Sequence, residues 1–183
     1  MRAPRASIPL LRQASRGRCA VMHAVTTGVF DGPRAQLRSL FALAEDSPDQ
    51  LASYLEIGRA LVARIDDEIV GHVLLVTTDD PSTIEIKNMA VSNSRQRLGV
   101  GTELIAAARR DSLARRVRRL VVATAAADLD NLRFYQRNAF RFTHVERDAF
   151  VPATGYPTVI DIDGIPLRDR VWLDLDLDTE DQS

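Results

Sequence analysis

The sequence has very little cysteine and histidine, and these shortages exclude two classes of site. Cys19 is the only cysteine among the 183 residues, so no disulfide can form within the chain and a reducing cytoplasm is the expected compartment. The three histidines (His23, His72 and His144) lie far apart and have none of the spacings of a metal site. We therefore expect neither a disulfide framework nor a bound metal.

Long apolar runs and an excess of one charge are also missing. No apolar run approaches the roughly 18 residues that a membrane-spanning helix needs, so no membrane partner is expected. The formal net charge of -1 provides no overall basic field, so nucleic acid is not expected as a partner. A chain of 183 residues predicts one domain with a complete hydrophobic core.

The first 22 residues contain five arginines and no acidic residue, and they lack the apolar core of a secretory signal. An organelle transit peptide is one interpretation. A flexible tail, or a start codon assigned too early with Met22 as the real start, is favoured because composition alone is weak evidence for targeting. We predict that residues 1–22 are a tail or an extended start, and that 23–183 form the domain.

Hydrophobic periodicity predicts two helices before any strand. The first covers 33–44, and the second begins at Ser47-Pro48 and ends near Gly58. Three β-rich runs follow as an antiparallel meander at 60–65, 69–77 and 83–91. In the third strand, alternation places Glu85, Lys87, Met89 and Val91 on one face and Ile84, Ile86, Asn88 and Ala90 on the other.

The second half of the chain is predicted to alternate helices and strands. The expected order is a helix over 100–113, a strand over 120–123, a helix over 128–136, and strands over 140–145 and 171–177. The segment 148–168 is rich in proline and glycine and forms a long excursion between the last two strands. Ordered excursions of this length are often functional.

The polar loop after the third strand leads into a helix through Gly99-Val100-Gly101-Thr102. Glycines let the backbone approach a phosphate, and the free amides and dipole of the first helical turn stabilise its charge. Gln96 and Arg97 add side-chain donors. A glycine pair can also simply shape a tight turn. Neither a Walker loop nor a dinucleotide fingerprint fits, since Leu104 stands where the latter needs its third glycine.

From Gln96 to Gly101 the sequence resembles the GNAT superfamily of N-acetyltransferases, whose hallmark is Gln/Arg-x-x-Gly-x-Gly/Ala after a strand. A second family signature reads Phe134-Tyr135-Gln136-Arg137-Asn138-Ala139-Phe140, with alanine where glycine is usual. We expect Asn138 to adopt the left-handed conformation of the missing glycine. The resemblance covers roughly 33–178. It implies an α/β (mixed α+β) domain with a central, mostly antiparallel, splayed sheet of about six or seven strands flanked by helices.

The resemblance implies acetyl-CoA as the acyl donor, with its pyrophosphate on the glycine loop. The cofactor-binding residues that it assigns are Met89, Ala90, Val91, Gln96, Arg97, Leu98, Gly99, Val100, Gly101, Thr102, Asn131 and Arg137. In the family, the strand before the loop splays from its neighbour, and its free backbone groups pair with pantetheine and the thioester carbonyl. The usual pantetheine-binding asparagine is Asp128 here, so Asn131 takes that role. Arg137 either meets the adenosine phosphate or is a solvated surface residue.

Two residues are the catalytic candidates. Glu85 lies eleven residues before Gln96, where histone-type members of the superfamily place a catalytic glutamate, and a carboxylate there can act as general base. The alternative is a surface carboxylate paired with Lys87 or an arginine. Tyr135 resembles the family's general acid, a phenol that protonates the departing thiolate. The alternative is a packed aromatic ring.

These assignments imply a transferase that moves an acetyl group to a primary amine of a small molecule or peptide by direct attack. The first two helices and the 148–168 excursion would form the acceptor pocket. An acyl-CoA-binding sensor or regulatory module without catalysis is the alternative. The sequence leaves a homodimer possible and does not identify the amine.

Overall fold

The computed structural model describes residues 24–45, 47–156 and 160–178, which form a central sheet with helices on both faces. The predicted N-terminal tail, with Cys19 and His23, lies outside the described residues. The four helices are α1 (Arg38–Phe41), α2 (Pro48–Tyr54), α3 (Val100–Ala114) and α4 (Leu129–Arg137). None of the helices in the described ranges is long and apolar enough to cross a bilayer.

Nine strands are present in the described residues. They are β1 (Thr26–Val29), β2 (Arg59–Ile65), β3 (Glu68–Thr77), β4 (Thr83–Val91), β5 (Arg119–Ala125), β6 (Arg141–Glu146), β7 (Asp161–Ile162), β8 (Ile165–Pro166) and β9 (Arg170–Asp176). Seven of them form one sheet in the order β1-β2-β3-β4-β5-β9-β6, and β7 and β8 form a separate hairpin. Every neighbouring pair is antiparallel except β4 and β5. The predicted mixed fold with a mostly antiparallel sheet is confirmed.

Two hydrophobic clusters hold the helices to the sheet. One packs α3 against β2, β3, β4 and β5 through residues such as Leu104, Ile105 and Leu120. The other packs α1 and α2 against the opposite face through Leu40, Phe41 and Leu51. Each cluster comes from helical spacing on one side and strand alternation on the other, which is why the sequence pattern located most of these elements.

The expectation that two helices precede every strand is wrong. β1 comes first and pairs with β2 from Thr26↔Arg64 to Val29↔Leu61. This strand has four residues that are mostly exposed, so it carries no alternating pattern. The predicted first helix is also interrupted, because a 3-10 turn at Arg34–Leu37 precedes α1.

A β-bulge in β4 overturns the predicted face assignment. Leu74 pairs with Asn88 whereas Leu75 pairs with Ile86, so β4 has one extra residue at Lys87. Beyond this bulge the side chains change faces. Ile86 therefore lies in the α3 cluster, whereas Asn88 faces α1 and α2. Met89 packs against the α3 cluster, not on the face of Glu85.

The only parallel pairing in the described sheet is short. β4 and β5 pair from Thr83↔Arg119 to Ile86↔Val122, and no pair follows. Since β4 continues to Val91 and β5 to Ala125, the two strands diverge beyond these pairs. The splayed sheet expected from the sequence is confirmed, and the divergence opens a wedge toward the first turn of α3.

The end of α4 differs from the prediction. Asn138 has φ -95°, outside the left-handed region, and its side-chain amide donates to the Phe134 carbonyl oxygen at 2.9 Å. Ala139 itself adopts the left-handed conformation, with φ 68°. The alanine therefore takes the conformation of the missing glycine, which strains an L-residue.

Candidate active site

A cavity of about 930 Å³ opens where β4 and β5 diverge. One half of its wall comes from the ends of β4 and β5, the first turn of α3 and α4. The other half comes from the segment after α1, from α2 and from the excursion before β9. The cavity thus has two sides, which we call the loop side and the acceptor side.

The loop side contains the start of α3. Gly99 has φ 83°, and the first hydrogen bond of the helix runs from the Glu103 amide to the Gly99 carbonyl oxygen at 3.1 Å. The amides of Gly101 and Thr102 therefore precede the helical hydrogen-bond ladder and are available to an anion. A Cβ on Gly101 would lie 3.0 Å from the Phe134 ring, so this position has little space for a side chain.

Most residues assigned to the cofactor surround this one cavity. Those in its wall are Met89, Ala90, Val91, Gln96, Arg97, Gly99, Gly101, Thr102, Asn131 and Arg137. Leu98 and Val100 are not in the wall. Leu98 is 59% exposed, and Val100 is 1% exposed and packs in the core. Their side chains do not line the cavity, although their backbone belongs to the loop.

The side chains of Gln96 and Asn131 already have partners within the protein. The Gln96 amide donates to the Val91 carbonyl oxygen at 3.4 Å and to Asn93 Oδ1 at 3.2 Å, which holds the loop against the end of β4. The Asn131 amide donates to Asp128 Oδ2 at 2.7 Å. Asp128 also accepts from the Asn131 backbone as the N-cap of α4, so the aspartate at this position has a structural use.

Tyr135 is buried between two aromatic rings. Phe134 and Phe140 meet it edge-on, with ring centroids 5.2 and 5.5 Å away. Burial, and secondarily the negative charge of Asp128, raise the pKa of the Tyr135 phenol. The phenol therefore stays protonated across the physiological range and can act as a proton donor. It also lines the cavity.

Glu85 lies in the same cavity, with 19% of its side chain exposed. Lys87 Nζ donates to Glu85 Oε1 at 3.2 Å and lies 5.8 Å from the centroid of the Tyr54 ring. The ion pair with Lys87, which was the alternative to a general-base role for Glu85, is thus present, and the carboxylate nevertheless faces the cavity. The geometry is compatible with both interpretations of Glu85.

Sequence reasoning missed a chain of polar contacts on the acceptor side. His72 Nε2 and Asn88 Oδ1 lie 2.9 Å apart in the core, and Asn88 donates through Nδ2 to the Tyr54 hydroxyl at 2.9 Å. The Tyr54 hydroxyl donates to Glu45 Oε2 at 3.2 Å, and the Tyr156 hydroxyl donates to Glu45 Oε1 at 3.4 Å. The one available signal was Asn88, a polar residue beside the apolar end of β4, residues 89–91.

The two tyrosines that donate to Glu45, Tyr54 and Tyr156, are neutral. Burial raises the pKa of Tyr54, and the charge of Glu45 raises it further while the hydrogen bond from Asn88 lowers it. Burial and the charge of Glu45 also raise the pKa of Tyr156, against the opposing effect of Arg170. Both hydroxyls therefore keep their protons and serve as donors to the carboxylate.

Comparison with known proteins identifies the family. A family model described as "Acetyltransferase (GNAT) family" matches residues 33–140. The chain is 34% identical to the uncharacterized N-acetyltransferase YvbK of Bacillus subtilis (strain 168) over 142 residues, which covers 78% of this chain and 90% of YvbK.

Two similar structures hold the cofactor. A Bacillus subtilis acetyltransferase in complex with CoA is 31% identical, with a TM-score of 0.76 over 84% of this chain and 99% of that one. A GNAT family acetyltransferase from Elizabethkingia anophelis with acetyl-CoA bound is 28% identical, with a TM-score of 0.75 over 83% and 97% of the two chains. Acetyl-CoA is the acyl donor. The sequence match, the shared fold and these bound cofactors agree, and the chain belongs to the GNAT family of acyl-CoA-dependent N-acetyltransferases.

Proposed function

We propose that the enzyme transfers the acetyl group to a primary amine of a small molecule or peptide by direct attack, with Glu85 as general base and Tyr135 as general acid. The observation that carries this proposal is that both side chains line the cavity that also contains the start of α3. Glu85 takes a proton from the acceptor nitrogen, directly or through water. Tyr135 supplies a proton to the sulfur that leaves when the new C–N bond forms.

The donor site that we propose is the loop side of the cavity. Acetyl-CoA supplies a thioester, and its pyrophosphate fits the unpaired amides of Gly101 and Thr102 beside the open backbone of Gly99. The backbone of Met89, Ala90 and Val91 loses its β5 neighbour beyond Ile86, which leaves polar groups for the pantetheine and the thioester carbonyl. We place the enzyme in the cytoplasm because a lone cysteine suits a reducing compartment.

The test is kinetic. Purified protein is titrated with acetyl-CoA, and thiol release is followed with polyamines, aminoglycosides, amino acids and peptides as acceptors. Glu85→Gln and Tyr135→Phe should each lower kcat by roughly 100- to 10,000-fold and leave the affinity for acetyl-CoA unchanged. Glu56→Gln is the matched control, because Glu56 is an exposed carboxylate outside the cavity.

The results separate the alternatives. If Glu85→Gln keeps the wild-type rate, the ion pair with Lys87 is the role of this carboxylate and the general base lies elsewhere. Acetyl-CoA binding without thiol release for any acceptor would instead support a regulatory module. A protein that does not bind acetyl-CoA at millimolar concentration would contradict the donor site itself.

A further inference from the structure

Glu45 is a half-buried carboxylate in the acceptor side of the cavity. It lies in the connection between α1 and α2. Three groups donate to it: the Ser47 amide at 3.0 Å, the Tyr54 hydroxyl at 3.2 Å and the Tyr156 hydroxyl at 3.4 Å. All three donors are neutral. The carboxylate is therefore held firmly in place by the protein without a compensating positive charge from any of these contacts.

The nearby cations are already engaged. Lys87 pairs with Glu85 at 3.2 Å. Arg170 pairs with Glu146 at 3.2 Å and lies 5.1 Å from the centroid of the Phe150 ring. Arg170 also acts on Tyr156, whose pKa its positive charge lowers, and the Tyr156 hydroxyl in turn donates to Glu45. Among the described residues of the acceptor side, the negative charge of Glu45 is thus left for a ligand to balance.

The hydrogen-bonding capacity of Glu45 leaves room for one more donor. A carboxylate has about four acceptor positions. Oε1 accepts from the Ser47 amide and from Tyr156, whereas Oε2 accepts from Tyr54. The remaining position is on Oε2, and Glu45 is part of the cavity wall. An ammonium group fits this position, since it adds a donor and a positive charge, and the adjacent tyrosine rings attract cations.

The position of Glu45 separates it from the proposed chemistry. The Tyr54 side chain stands between its carboxylate and the side chain of Asn88 in β4, and the β4 backbone after Asn88 is the proposed thioester site. The attacking nitrogen must lose its proton, which is the task proposed for Glu85. A fixed carboxylate on the far side of Tyr54 therefore suits a different amino group of the same acceptor.

We propose that Glu45 binds a second, non-reacting ammonium group of the acceptor, so that the preferred acceptors are diamines or polyamines. This inference rests on the proposed acetyl transfer to primary amines. It makes one carboxylate, that of Glu45, responsible for the selection of the acceptor class. The tyrosine hydroxyls hold that carboxylate, and the buried His72–Asn88 pair positions Tyr54.

Matched acceptors that differ by one amino group test the proposal. Putrescine is compared with butylamine, and cadaverine with pentylamine, by thiol release at saturating acetyl-CoA. The wild-type kcat/KM should favour each diamine by about 10- to 100-fold, which is the usual contribution of a hydrogen bond to a charged group. The difference should lie mainly in KM for the acceptor.

Variants test whether Glu45 causes the preference for diamines over monoamines. Glu45→Gln should abolish the preference for diamines, and continued thiol release with butylamine and pentylamine shows that the variant is folded. Glu45→Asp keeps the charge and should retain part of the preference. Glu56→Gln removes an exposed carboxylate outside the cavity and should retain all of it.

The possible failures are distinguishable. Equal kcat/KM for diamines and monoamines in the wild type, or a preference that survives in Glu45→Gln, would overturn the role of Glu45 and leave acetyl transfer standing. An absence of thiol release with every amine would overturn the proposed function, and this inference with it.

Discussion

His72 is fully buried, and its imidazole is neutral in the folded protein at neutral pH. Burial lowers the pKa of its imidazole from 6.5 to about 4, and the positive charge of Arg34 contributes, against the opposing hydrogen bond with Asn88. The ring packs on Phe41 with centroids 4.1 Å apart. Protonation would place a charge among apolar side chains, so folding and the charge state of this histidine are coupled.

Stability should consequently fall as the pH falls. Below pH 6.5 the unfolded chain binds a proton at His72, and the folded chain does not until about pH 4, so this group removes stability throughout that window. The full effect is roughly 3 kcal/mol. Urea unfolding at steps from pH 7 to about pH 4.5 should therefore show a steeper loss in the wild type than in His72→Gln. Parallel curves for the two proteins would contradict the assignment.

Some residues of the cavity could be predicted from the sequence, and others could not. Gln96, Gly99 and Gly101 were found by their motif, and the structure places them around one cavity. Glu45 carries no motif, because its partners Tyr54 and Tyr156 follow it in the chain by 9 and 111 residues. The orientation of Asn88 was also out of reach, since a bulge in β4 reverses the faces and leaves no mark in the pattern of residues.

At the scale of elements, length decided what could be predicted. At least one full period of an alternating or helical pattern is present in each of the longer elements, which are strands β2 to β5 and β9 and helices α3 and α4. The hairpin of β7 and β8 has only two residues per strand, and its existence depends on pairing, which no short pattern shows. The excursion was predicted as a segment, but its internal structure was not.

The end of α4 offers a stabilising substitution. Ala139 has φ 68°, a conformation that strains a residue with a Cβ by about 1 kcal/mol and that glycine adopts freely. Ala139→Gly should therefore raise the free energy of unfolding by up to about 1 kcal/mol, measured by urea denaturation. Ala106→Gly is the control, because this alanine lies inside α3 and its replacement should lower stability by about 1 kcal/mol. A loss of stability in both variants would argue against a strained helix end.

At the scale of the whole molecule, the proposed donor site joins β4, α3 and α4. Acetyl-CoA at a hundredfold excess over its Kd should add about 2.7 kcal/mol to the free energy of unfolding. For a protein of this size, the corresponding rise in Tm is about 5 to 10 °C. Differential scanning calorimetry with and without acetyl-CoA measures it, and an unchanged Tm would contradict the donor site.

Gly101→Asp provides the control for this shift. Its Cβ would meet the Phe134 ring at 3.0 Å, and its carboxylate would lie beside the proposed pyrophosphate position. The variant should keep a wild-type circular dichroism spectrum and lose the rise in Tm. A normal response to acetyl-CoA in this variant would contradict the assignment of the loop.

The two sides of the cavity differ in how the chain builds them. The loop side comes from regular elements of the central sheet and its flanking helices, whereas the acceptor side comes mainly from the connection after α1 and the excursion before β9. Surface connections accept insertions and exchanges more readily than strands do. A change of acceptor therefore requires exchanges only in these two connections, while the proposed donor site stays intact.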